Sequence, residues 1–332
     1  MLLFLLGSRA AAAALAGRAR ASIIRMRSHR WQRHSWAQRH AQLRMSTSLL
    51  PAYVPSEDVS AISEAEAISA IASMQYVSLE LSNAVASGPV NVSYLSTQPS
   101  GSQASAPPLL LVHGFDISCL EYRRLLPQLE AAGLEAFAPC IPGWGFTDTA
   151  QMRTVGVDGK REALLAFHES VLGGRPAVWV GASLGACVAL DCFVARPAAV
   201  QSLVCLDPGF FTDPPPAVPD FVGRLLLRQV LSAPGVRRSI AKQAYFDKDG
   251  QTDDAIRCGN LHLRRPKWEE DSLEWLLSGA YGAIEEKVPL LASVPTLTLW
   301  GRQVIAISLD LQGISLYVHA SDSLLLLVGA AG

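Results

Sequence analysis

Apolar positions recur along the chain in two rhythms. Short apolar-rich runs at Leu109–Val112, Glu135–Ala138, Ala177–Val180, Ser202–Leu206 and Pro295–Trp300 have the length and composition of strands buried on both faces. Between them, Leu120–Ala132, Arg161–Leu172 and the almost wholly apolar Leu184–Ala195 read as helices. This alternation predicts a mostly parallel sheet with helices on both faces and a site at the carboxyl ends of the strands. Upstream, Val77–Leu81 and Val90–Leu95 alternate like antiparallel strands, with a turn across Asn83–Pro89. Ala61–Met74 has helical spacing, and Ser63 with Glu66 three residues on predicts a capping box.

After Asp207-Pro208-Gly209 the rhythm breaks. Pro214, Pro215, Pro216 and Pro219 open a segment with helical spacing at Phe221–Leu231 and Trp268–Leu277. Helices inserted between two consecutive core strands predict a cap over the strand ends. Trp268, Trp275 and Tyr281 either line a pocket beneath it or pack it onto the core. The expected organisation is a targeting and disordered segment over 1–56, a core over 57–207, the cap over 208–291, a core strand within 292–303 and an atypical tail over 304–332.

Gly181-Ala182-Ser183-Leu184-Gly185 joins one strand run to the helix after it. Glycines flank the serine where a tight turn strains the backbone and brings neighbouring chain too close for a Cβ. Such a turn holds a hydroxyl beside a helix N-terminus, which favours negative charge. It is the pattern of a nucleophile elbow, and it makes Ser183 the candidate nucleophile.

With that motif stand His113-Gly114-Phe115-Asp116, Cys119-Leu120-Glu121-Tyr122-Arg123, Gly143-Trp144-Gly145-Phe146-Thr147-Asp148, Ser278-Gly279-Ala280-Tyr281 and Leu299-Trp300-Gly301-Arg302. Together they resemble the α/β-hydrolase superfamily (AB hydrolase-1 type), in particular the plastid-targeted α/β-hydrolases of plants and algae, over roughly Val77 to Gln303. The resemblance implies the α/β-hydrolase fold with its cap after the sixth strand. It also implies an oxyanion hole made by the backbone N–H groups of Phe115 and Leu184. His113 reads as a structural loop residue, His168 as a surface or packing residue, and His262 as a local hydrogen-bonding group of the cap.

The family's acid and histidine are not where the resemblance expects them. Val304 stands where Trp-Gly-x-x-Asp would place the acid, and Ile305 to Gly332 has no Gly-His. Three readings stay open. The tail derives from a retained intron, a frameshift or an alternative exon; or Ile314–Val318 mimics the last strand and delivers His319 as base, with Asp310 or Asp207 as acid; or the protein binds a ligand without turning it over. In every reading the final strand is atypical or incomplete, and the last edge of the sheet is expected to be poorly covered.

Charge then narrows the partners. Nine arginines and no acid precede Glu57, so the remainder carries 19 basic against 29 acidic residues. An acidic body gives a basic arm no face to extend for nucleic acid. An Arg-, Ala- and Ser-rich start without acids is instead the composition of a transit peptide, to a plastid or, alternatively, a mitochondrion. The apolar stretch at its very start is too broken to span a bilayer. The six cysteines have neither metal-ligand spacing nor a CxxC pair, so no metal, cofactor or disulfide framework is implied. The expected partner is a small-molecule, lipid-like ester.

Overall fold

The alternating runs fold as their rhythm predicts, in a computed structural model that describes residues 50–97, 106–212, 218–243, 251–282, 284–301, 318–319 and 323–328. Helices α1 (Ser56–Ser60) and α2 (Ala65–Ala72) precede the antiparallel pair β1 (Gln75–Leu79) and β2 (Val90–Ser96). There follow β3 (Leu109–Val112), a 3-10 stretch over Cys119–Arg124, α3 (Leu126–Ala131), β4 (Ala136–Pro139), α4 (Val157–Leu172), β5 (Ala177–Ala182), α5 (Leu184–Ala195) and β6 (Val200–Leu206). The single helix expected over Leu120–Ala132 is split. Pro127 sits in the first turn of α3, where its missing N–H costs nothing, whereas inside a longer helix it would oppose the carbonyl of Arg123.

Between β6 and the next core strand lies the expected helical cap. It contains α6 (Asp220–Leu226) with a π-helical continuation over Leu227–Leu231, α7 (Pro234–Gln243), α8 (Asp253–Asn260), a 3-10 stretch over Leu261–Arg264, and α9 (Trp268–Leu277). A last 3-10 stretch, Ile284–Ser293, leads back into β7 (Thr296–Gly301). The tail contributes β8 (Val318–His319) and β9 (Ser323–Val328).

The sheet order is β1-β2-β4-β3-β5-β6-β7-β9-β8, parallel from β4 through β7. Successive residues of the central strands face opposite sides. Leu110, Val112 and Trp179 join α4, α5 and the cap in one apolar cluster. Leu111 and Val180 join Ile62, Ala67, Ile71 and Leu126 in the other.

Two local expectations are corrected. The Ser63–Glu66 capping box does not form. Asp254 of α8 instead accepts from Ser63 N, Ser63 Oγ and Glu64 N at 2.7–2.8 Å, so the first turn of α2 is capped from the cap domain. The edge beyond β7 is also not left bare, because β9 pairs antiparallel with it from Thr296 to Gly301. The apolar run Leu324–Leu327 supplies the strand propensity for this antiparallel pairing.

Candidate active site

Ser183 sits between β5 and α5 with φ 52° and ψ −115°, outside the regions that L-residues ordinarily occupy. The flanking glycines explain how the turn closes. A Cβ on Gly181 would lie 2.5 Å from Ala186 Cα, and one on Gly185 would lie 2.7 Å from His113 O and closer still to Val112 O. Ser183 N donates to Leu206 O at 2.8 Å, while Ser183 O accepts from Ala186 N and Gly209 N. The backbone is thereby clamped from β6 and from the loop beyond it. The side chain is left exposed.

Backbone strain is concentrated around it. Of the four described non-glycine residues with positive φ, Asp116, Ser183 and Asp207 follow β3, β5 and β6. Strain of this kind persists only where surrounding contacts hold it, and it gathers at functional sites. Gly114 lies beneath Ser183, where a Cβ would come within 3.6 Å of the serine Cβ. No turn, loop or cap hydrogen bond among the described residues engages the N–H of Phe115 or of Leu184. Both belong to the chain segments bordering Ser183, and Leu184 is the first residue of α5, where a helix offers its N–H no acceptor of its own. The Phe115 ring packs edge-on against Trp144 at 4.8 Å.

The three histidines with described side chains are committed elsewhere. His113 is buried, with Nδ1 2.9 Å from Gly114 O and Nε2 accepting from Ile141 N at 3.0 Å, so both ring nitrogens are engaged by backbone and its role is structural. His168 is buried on α4, 2.8 Å from Arg175 O and tilted against Trp179. His262 has no exposed surface, and its Nε2 donates to Asp116 Oδ1 at 2.9 Å. Burial lowers its pKa, and the Asp116 bond only partly restores it. His319 pairs with Leu324, which pairs with Trp300, so it reaches the level of the strand carboxyl ends. It does so on the outermost strand, four strand spacings from β5, or roughly 19 Å across the sheet. The structure therefore does not bring His319 and Ser183 together, and Asp310 lies outside the described residues. Asp207 stands one strand from Ser183 with Oδ1 accepting from Gly301 N at 2.8 Å. Burial raises its pKa and that N–H lowers it in part.

Two features of the site carry no sequence signal. Asp116 is buried at the end of the β3 loop and gathers three donors from the cap, Trp268 Nε1 (2.8 Å), His262 Nε2 and Arg237 Nη1. Burial raises its pKa, but the charge of Arg237 and the His262 and Trp268 bonds outweigh it and hold the carboxyl at about 2. Lys160 is fully buried, donating to Pro142 O (2.8 Å) and Val155 O, with its ammonium 4.3 Å and 4.5 Å from the ring centres of Trp144 and Trp275. The Asp116 contacts join residues 121 to 152 positions apart, and the Trp275 ring lies 115 positions from Lys160, beyond the reach of any spacing rule. Trp268, Trp275 and Tyr281 are all buried, so they pack the cap onto the core. The six cysteines are free and buried.

The profile of the alpha/beta hydrolase family matches residues 109–320. The alpha/beta hydrolase domain-containing protein VTE7 of Arabidopsis thaliana is 33% identical over 184 residues, covering 52% of this chain and 53% of that protein. The chain thus spans about half the length of this curated relative. A haloalkane dehalogenase of Psychrobacter cryohalolentis is 40% identical over 65 residues, 20% of each chain. Among solved structures, a membrane phospholipase A described as a bacterial virulence factor superposes with a TM-score of 0.54 at 20% identity, over 75% of this chain and 76% of that one. The meta-cleavage product hydrolase of Pseudomonas fluorescens IP01 gives 0.50 at 18% identity, over 68% and 79%. At these identities the structures speak for the fold alone.

Proposed function

The chain belongs to the alpha/beta hydrolase family, and from that membership we propose that it is a serine hydrolase of the esterase or lipase-like kind, acting on an apolar acyl ester. The observation that supports this most directly is the strained, exposed Ser183 beside two backbone N–H groups without loop or turn partners. Ser183 Oγ attacks the ester carbonyl, and the Phe115 and Leu184 N–H groups take the developing oxyanion. The alcohol leaves, and water releases the acid from the acyl-enzyme. Such donors are worth about 3–4 kcal/mol each where they fit the transition state.

The base is the weak point. With every described histidine committed elsewhere or four strands away, Ser183 keeps the poor nucleophilicity of an alcohol. Loss of one triad member costs about 10⁴–10⁶ in rate, so turnover by this chain is slow. The same observation favours a second reading, a ligand-binding member of the fold that does not turn over. A lipid-like substrate and a plastid location are part of the proposal. They rest on the apolar cap, the acid-free arginine-rich start and the likeness to plant hydrolases. No helix among the described residues is long and apolar enough to cross a membrane.

A fluorophosphonate probe tests the proposal. Labelling of the wild-type chain that disappears in Ser183→Ala supports the hydrolase. Equal labelling of both chains, or of neither, supports the binding module.

A further inference from the structure

The donors that meet Asp116 come from three separate parts of the cap. Arg237 is on α7, His262 on the 3-10 stretch after α8, and Trp268 opens α9. Arg237 does more than pair with the carboxylate. Its Nη2 donates to the backbone carbonyls of Asp116 and Gly259 at 3.2 Å, its Nη1 also to Leu231 O at 3.0 Å, and its Nε to Asn260 Oδ1 at 2.5 Å. Asp116 itself has φ 53° and follows Phe115 directly. On the other side of Phe115, Gly114 N donates to Glu121 Oε2 at 3.4 Å. The peptide that carries the Phe115 N–H is thus held from the core on one side and from the cap on the other.

We propose that Asp116 is a positioning residue that makes the oxyanion donor of Phe115 conditional on the seated cap. This rests on the reading of Ser183 and Phe115 as parts of a hydrolytic site. A left-handed backbone at an aspartate is unfavourable unless its surroundings fix it. Here the fixing groups are side chains 121 to 152 residues further along the chain. Moving the cap away takes all three donors from a buried carboxylate at once. An unpaired buried charge is costly, so the loop reorganises to bring Asp116 to water and turns the Phe115 N–H with it. With the cap seated, the latch re-forms and the donor points back. The cap then does more than roof the site, because its closure assembles the oxyanion hole.

The test uses the full chain and two cap-side variants, Arg237→Met and Trp268→Phe, with Asp116→Asn as the core-side partner. Amide hydrogen exchange is read at Gly114, Cys119 and Glu121, the hydrogen-bonded amides that bracket the loop, and at β5 and β6 as the reference. The expected result is exchange at the bracket faster by about tenfold in Arg237→Met and less in Trp268→Phe, with β5 and β6 unchanged. Asp116→Asn with Arg237→Met should add little to either alone, because both release one latch. Unchanged exchange at the bracket in both cap variants overturns the proposal. So does acceleration spread evenly over β5 and β6 in both, which is loss of the fold rather than of a latch. Fluorophosphonate labelling supplies the second readout. Its limiting rate should fall about tenfold in Arg237→Met while the probe concentration giving half that rate stays put, as for lost transition-state contact. If the wild-type chain does not label at all, the hydrolase reading fails and the exchange measurement alone decides on the latch.

Discussion

The centre of the sheet and its final edge are built by different rules. Strands β3, β5 and β6 are each followed by a residue with positive φ, at once after β5 and β6 and four residues on after β3, and each such residue is held by contacts from elsewhere in the fold. Beyond β7, β9 simply pairs along its neighbour, residue for residue, and β8 adds two positions more. An apolar run is enough to make a strand, because the sheet edge offers unpaired backbone groups to any β-prone segment. It is not enough to make a strand end that presents chemistry. A sheet can be extended by composition alone, whereas a catalytic constellation needs individual residues in individual turns.

The sharpest way to break the comparison is at Gly185. A Cβ there enters the space of Val112 O and His113 O, backbone at the end of β3 and just beyond it that has little room to yield. Gly185→Ala should therefore cost about 3 kcal/mol or more, at or beyond the upper end of the usual overpacking penalty. Chemical denaturation measures it directly. A loss below 1 kcal/mol would mean that the elbow tolerates a wider turn than its geometry implies.

A smaller effect, and one with a definite pH window, is expected at Lys160. Burial pulls its pKa down to about 7, with Asp271 and Glu274 pulling up and Arg265 down, while an unfolded lysine titrates near 10.4. Between these values the unfolded chain binds the proton and the native one does not, so the lysine's contribution to stability becomes more favourable as pH rises. Below pH 7 both states are charged and the penalty of the buried ammonium is fully present. The two indole faces and two carbonyls offset part of it. Wild type should thus gain on Lys160→Met by about 1–3 kcal/mol between pH 6.5 and pH 9.5. Urea midpoints for both chains at the two pH values measure this, and parallel shifts would contradict it.

Much of the centre is legible from residues alone, and the reason is local. The run Ala177–Val180 and the glycines around Ser183 lie within nine residues, so their spacing records the strand and the turn. The latch on Asp116 and the cage around Lys160 join residues brought together only by the completed fold, and no spacing announces them. The failed capping box at Ser63 makes the same point. The local acceptor was plausible, but Asp254 takes all three donors because α8 happens to pack there. At the edge, one reading puts a last strand at Ile314–Val318, of which residues 314–317 lie outside the described residues, whereas the run that pairs with β7 is Ser323–Val328; which run reaches the edge depends on a chain path that hydrophobicity does not encode.

The smallest expected effect separates the two regions most cleanly. His319 is the histidine nearest the strand carboxyl ends on the tail side, and a displaced triad would have to use it. Its backbone stands four strand spacings from β5, about 19 Å by the ordinary distance between paired strands, while an imidazole extends only about 6 Å beyond its Cα. A water relay across that gap would have to pass β6 and β7, whose ends are already joined by the Asp207–Gly301 bond. His319→Ala should therefore change the Ser183 labelling rate and any ester turnover by less than about twofold, within the scatter of surface substitutions. A tenfold loss with unchanged stability would place the base on the tail after all. The edge would then have to be counted with the centre as part of the chemical machinery.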